Sequence, residues 1–165
     1  MKLTLDDVAQ AAGTTRMTVH RHTGGREPLI THLVLRESAQ LADDLRTVLD
    51  ADVPFAQRLV DALVLAVETI RGADHLQDLF AGRMSTSTWP DTDPDDLVIA
   101  AIHAFFFPYI ADAADQGLLR VGPEESLLWI LNQVLMFMVL PVTAPDAESV
   151  RSSLEMFVMP AILTR

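Results

Sequence analysis

Cysteine is absent from the 165 residues. That excludes disulfide frameworks, thiol nucleophiles, cysteine-based zinc fingers and iron–sulfur ligation, and it is compatible with a reducing cytosol. Charge is sparse at 21% of the chain while half of the residues are apolar, a balance that excludes wholesale disorder. No stretch alternates strictly between apolar and polar residues between hairpin turns, so no β-sheet is expected. There is no internal repeat and no low-complexity tract. No long apolar run follows Lys2, so no signal peptide is read. The most apolar stretch, Leu127 to Val142, is interrupted by Asn132 and Gln133 and contains Pro141, which suits a buried helix better than a membrane span. The chain is therefore expected to be soluble and cytoplasmic, with no membrane partner.

Enzymatic signatures are missing too. There is no Gly-x-Ser-x-Gly, no His-Glu-x-x-His and no phosphate-binding glycine loop. Asp91-x-Asp93-x-Asp95-Asp96 opens like a calcium loop, but Asp96 stands where the glycine belongs and Ile102 where the bidentate Glu belongs. His75 and His103 have no partner at metal-ligand spacing. The chain is read as a non-enzyme that needs no metal or cofactor.

The charge that is present is unevenly placed. The net charge is −11. Residues 1–36 nevertheless carry Lys2, Arg16, Arg21, Arg26 and Arg36 against Asp6, Asp7 and Glu27, and three of the five histidines, His20, His22 and His32. A small basic head thus precedes a strongly acidic body, which suits a head that meets an anionic partner.

The fold class is all-α. Helices are predicted at about Leu5–Ala12, Arg16–His22, Pro28–Leu49, Pro54–Arg71, Asp74–Ala81, Pro94–Gln116, Pro123–Leu140 and Pro145–Leu163, with a polar loop over 83–95. Thr4 and Thr15 are the predicted N-caps of the first two. Gly13, Gly24-Gly25, Gly72 and Gly117 supply the stops. Pro108 and Pro160 are expected to kink their helices.

The first two helices, joined by Gly13-Thr14-Thr15, have the pattern of a helix-turn-helix. Ala9 is small where the helices cross, Gly13 permits the turn, and Val8 and Val19 bury between them. The exposed face of the second helix is left to enter a DNA major groove. It carries Arg16, Met17, Thr18, His20, Arg21 and His22. Arginine suits guanine, while threonine or methionine suits a thymine methyl.

The stretch Ala12-Gly13-Thr14-Thr15-Arg16-Met17-Thr18-Val19-His20-Arg21-His22-Thr23-Gly24-Gly25-Arg26-Glu27-Pro28-Leu29 resembles the DNA-binding domain of TetR-family (tetracycline-repressor-like) transcriptional regulators. The resemblance is specific over residues 4–36 and looser beyond. It implies that Arg16, Met17 and Thr18 read bases. It also implies that His20, where the family has Tyr, and Arg26, where it has Lys, touch phosphate, and that Thr4 and Thr15 cap helices and meet phosphate. It implies a further helix before Thr4, for which the three residues preceding Thr4 leave no room, and it sets Thr23 where the family has a Phe core anchor. Residues 1–36 are accordingly read as the head, continuing into the helix 28–49, and residues 37–165 as a ligand-binding and dimerisation domain.

In that body, Trp89, His103, Phe106, Phe107, Tyr109, Trp129, Asn132 and Met136 are the candidate walls of an effector pocket. Leu127, Leu131, Val134, Met138, Val150, Leu154, Phe157 and Val158 are the candidate dimer contacts. The expected function is that of a ligand-responsive transcriptional repressor. It would bind a palindromic double-stranded DNA operator as a homodimer and release it for an unknown small-molecule effector. The alternative is a regulator-like protein whose vestigial head does not bind DNA and whose body serves as a small-molecule or protein-binding module.

Overall fold

The computed structural model describes residues 4–73, 97–139 and 146–164. Their helices are α1 (Leu5–Ala11), α2 (Arg16–Thr23), α3 (Arg26–Leu49), α4 (Phe55–Gly72), α5 (Leu97–Asp115), α6 (Pro123–Val139), α7 (Ala147–Ser153) and α8 (Met159–Ile162), with a π-helical turn at Leu154–Val158. Among the described residues there is no strand, only an isolated antiparallel bridge between Leu119 and Leu163. The all-α expectation holds. The helix expected at 74–81, the loop at 83–95 and Trp89 lie outside the described residues.

Two compact units divide the chain after Leu41. The third helix begins in the first and ends in the second. It starts at Arg26, two residues before the Pro28 at which its start was expected. The early start fits: Pro28 still falls in the first turn, where a missing N–H removes no intrahelical bond.

The second unit is built around α4. Its residues Leu59, Val60, Ala62, Leu63, Ala66, Val67 and Ile70 are all buried, a face too wide for an ordinary surface helix. It packs against α6 and α7, and α6 also packs against α5. Ile110 and Ala113 of α5, Leu127, Ile130 and Val134 of α6, and Val150 of α7 complete this core. The Asp61 carboxylate accepts from Arg151 at 2.6 Å and ties α4 to α7 at the edge of the apolar contact.

The two internal prolines behave differently. Pro108 sits within α5 without ending it. Both it and Ala104, whose carbonyl loses its partner, are exposed, so water can satisfy the free acceptor. Pro160 lies just beyond the π-helical turn, where the Met159 N–H reaches back to the Leu154 carbonyl. Pro160 has no N–H for the Met156 carbonyl, and the widened turn accommodates that loss. The chain end is then held by the Arg120 N–H on the Ile162 carbonyl at 2.8 Å and the Thr164 N–H on the Leu118 carbonyl at 2.9 Å.

Leu59 is 1% exposed at the centre of the α4 face. Leu59→Ala leaves a cavity there and is expected to lower the stability of the body by about 2–5 kcal/mol, read as a lower urea midpoint with an unchanged slope.

Candidate nucleic-acid interface

The first unit holds a core of three buried side chains, Leu5 and Ala9 of α1 and Val19 of α2, with Val8 and Leu29 packed against it. The core is small, so local hydrogen bonds share the task of holding the pair. Thr4 and Asp7 form a capping box at the start of α1. The Thr4 N–H donates to Asp7 Oδ2 at 2.9 Å, its hydroxyl donates to the same oxygen at 2.6 Å, and the Asp7 N–H donates to Thr4 Oγ1 at 3.2 Å. These bonds favour the charged carboxylate, the Thr4 hydroxyl most and its backbone N–H next, and hold the Asp7 pKa below its ordinary value.

The turn between the helices depends on Gly13 at φ +61°, a conformation costly for residues with a Cβ. It lets the Thr14 N–H reach the Ala9 carbonyl at 2.9 Å, at the closest approach of the two helices. Thr15 caps α2 by accepting from the Thr18 N–H at 3.2 Å. At the far end of α2 the Thr23 hydroxyl lies 3.0 Å from both the Val19 and Gly25 carbonyls. Thr23 thus closes the turn by hydrogen bonding, where the resemblance has an apolar anchor. Gly24 and Gly25, at φ +77° and +121°, complete it.

Burial then sorts the faces of α2. Val19 points into the core, with Thr18 and Thr23 half-buried beside it. Met17, His20 and Arg21, at helical spacing, share the opposite face and are all exposed. Met17 is 80% exposed. Arg16 is exposed and lies 3.7 Å from Asp6, a loose pair between two solvated groups worth little. The Thr18 hydroxyl is engaged with Thr15 Oγ1 at 3.0 Å, and its carbonyl accepts from His22 Nδ1 at 2.8 Å. Arg26 is half-buried and already engaged within the chain. The Thr4 hydroxyl and N–H are both committed to Asp7, so in this arrangement neither is free for phosphate. The capping roles of Thr4 and Thr15 match the sequence expectation; the second Thr4 bond to Asp7 and the Thr18 hydroxyl bond do not show in sequence, because side-chain torsions decide them.

The candidate pocket residues among the described ones differ in exposure and partners. Phe106 is buried, whereas Trp129 and Met136 are exposed. His103 stacks on Phe107 with ring centroids 4.9 Å apart and meets Glu124 at 2.9 Å. Asn132 is half-buried. Tyr109 faces Asp50; burial first, and then that carboxylate, push its phenol pKa up. An open hollow of about 520 Å³ instead lies beside Val48, Val53, Gln57, Val64 and Leu65, with Asp61 and Arg151 on its rim. Its lining is the end of α3, the connection to α4 and α4 from Gln57 to Glu68, closed by Arg151 of α7, and helical periodicity does not signal such a junction.

The candidate dimer contacts divide similarly. Leu127, Val134, Val150, Leu154 and Val158 are buried in the chain's own core, so they are not surface for a partner. Leu131 is half-buried, and the Met138 side chain lies outside the described ones. Phe157, in contrast, is 67% exposed, and Met156 beside it 65%. On α6 it is Leu128, Trp129 and Met136 that are exposed. Helical periodicity located an apolar helix but not which side its own chain covers.

The described residues form an all-helical fold, a helix-turn-helix unit and a helical body. The solved ketosteroid transcriptional regulator KstR2 of Mycobacterium tuberculosis shares it: the match covers 99% of this chain and 86% of that one with a TM-score of 0.68, at 15% sequence identity. The HTH-type transcriptional regulator AlkX of Mycobacterium tuberculosis is 34% identical over 80 residues, 41% of this chain and 38% of that protein. The chain therefore spans well under half the length of that relative. No family model matches.

The capping box gives the head an acid limit. A carboxyl whose folded pKa is depressed contributes stability that is present above its unfolded value, about 3.9, and lost as pH falls through the lower folded value. The carbon-13 NMR titration of the Asp7 carboxyl is expected to give a midpoint below 3.9 and to rise towards it in Thr4→Ala, which removes the larger of the two causes.

Proposed function

We propose that the chain is a transcriptional repressor that binds a palindromic DNA operator as a homodimer and is released from it by a small-molecule effector. The observation that carries this reading is the exposed face of α2. Met17, His20 and Arg21 stand together in water on a helix whose other side is fixed by Val19. An apolar tip beside an arginine on an eight-residue helix suits a major groove flanked by phosphates.

A homodimer follows from contact area, because one short helix offers less interface than a specific site needs. The exposed Trp129, Met136, Met156 and Phe157 supply apolar surface for a second copy, and two recognition helices about 34 Å apart would meet successive turns of one groove. The effector belongs to the body, and its preference for one body conformation would shift the spacing of the two heads. KstR2 is described as a ketosteroid regulator; at its level of identity the likeness supports the fold and passes on no ligand class.

Fluorescence anisotropy with duplexes flanking the chain's own gene, against scrambled DNA at two salt concentrations, tests this. Preferential binding that weakens with salt is expected. Arg21→Ala is expected to weaken it and to lower the salt slope by about one. Absence of any preference at either salt would overturn the DNA reading and leave the body as a binding module.

A further inference from the structure

We infer that the open hollow between the end of α3 and α4 is a binding site for a small amphipathic cation, an ammonium group carried on an aliphatic chain. Such a site belongs to the body alone and stands whether or not the head binds DNA.

The site begins with the pattern of α4. Most of that helix faces the core, but Gln57, Asp61, Leu65 and Glu68, three or four residues apart, share a stripe that is half-buried or exposed. This stripe borders the hollow of about 520 Å³ together with Val48 at the end of α3 and Val53 in the connection. The volume falls in the range of small-molecule sites. Val48, Ala51, Val53, Val64 and Leu65 give the hollow an apolar wall. An aliphatic chain laid on that wall releases the water it holds, and each methylene so covered is worth up to about four-fold in affinity.

Charge then decides what the chain should carry. Among the described residues, the charged side chains bordering the hollow are Asp61, Glu68 and Arg151. Arg151 is already engaged: its Nη2 lies 2.6 Å from Asp61 Oδ1 and its Nη1 3.9 Å from Glu155 Oε1. An anionic ligand would have to displace a carboxylate to reach that guanidinium, in a chain of net charge −11. Glu68 is exposed and has no hydrogen-bond or ion-pair partner among the described residues. It stands two turns from Asp61, with Val64 and Leu65 between them. The uncompensated charge on this wall is therefore negative, and it favours a cation over an anion. Exposure to water screens that attraction, so the apolar wall supplies most of the affinity and Glu68 the preference for positive charge.

The experiment uses the whole chain, with its valine and leucine methyls labelled with carbon-13, and three probes of one chain length: octyltrimethylammonium, octanol and octanesulfonate. The methyl signals of Val48, Val53, Val64 and Leu65 are expected to shift at the lowest concentration with octyltrimethylammonium and at the highest with octanesulfonate. Glu68→Gln, at an exposed position, is expected to weaken the cation about two- to five-fold and to leave octanol unchanged. Val53→Lys sets an ammonium on the wall at a residue that is 38% exposed; it is expected to weaken the cation and to favour octanesulfonate. Both variants are expected to melt with the parent chain. Three results overturn the inference: hollow methyls unmoved by octyltrimethylammonium, methyls moved sooner by octanol or octanesulfonate, or a Glu68→Gln chain that binds the cation as the parent does. None of them bears on the duplex measurement, so the DNA reading stands or falls separately.

Discussion

The contact on which the head depends is the one between Ala9 and Val19, closed by Leu5. Three side chains are few for a core; burying each contributes roughly 1–3 kcal/mol at most, against an ordering cost of similar size per residue. A contact this small orients α2 only because the chain around it is restrained by local means. The Thr4–Asp7 box fixes where α1 starts, Gly13 at φ +61° sets the turn, Thr15 fixes where α2 starts, and Thr23 closes its end. Each restraint acts within a few residues, so none needs a deep interior. The outward face of α2 is what remains once the inward one has been fixed.

The body follows the opposite logic. Its stability comes from the wide buried face of α4, the apolar sides of α6 and α7 packed against it, and α5 packed on α6. Local signals are weaker there: α4 starts after Pro54 with no side-chain cap, and α5 runs through Pro108. Packing overrides these defects, as it does for most helices in water. A head set by local bonds and a body set by burial respond differently to conditions. Acid removes the cap carboxylates, Asp7 in the head and Asp146 at the start of α7, whose pKa the Ser149 hydroxyl and N–H likewise lower. Cavities and denaturant act chiefly on the body.

The same division explains how much the sequence discloses. Thr4, Gly13, Thr15 and Gly24 announce their helix ends because caps and left-handed turns have few chemical solutions, and the ends stand within two or three residues of their expected places. Val19 and Ala9 are legible as core from spacing alone. The body's site residues are not. Periodicity marks Leu127 to Met138 as apolar nearly all round but cannot say that Leu127 and Val134 face α4 and α5 while Trp129 and Met136 face water; that depends on which neighbour arrives. The hollow beside Val48 and Val64 lies where the consecutive helices α3 and α4 meet Arg151 of α7, and no periodicity within one helix encodes it. The π-helical turn at Leu154–Val158 stands just before Pro160, a residue legible in sequence as a break but not as a widened turn.

Charge joins the two halves of the functional reading. The chain carries −11 overall while its first 36 residues are net positive, so the body repels a duplex at any distance not screened by salt, about 10 Å at 0.1 M. A protein so composed gains little from lying nonspecifically along DNA, since most of its surface works against counterion release. Attraction is confined to the few arginines in and near α2. With the electrostatic term this small, specificity has to come from close fit at the groove floor. On the DNA-binding reading proposed above, that fit falls to the exposed face of α2, whose contacts with base edges are lost on a mismatch.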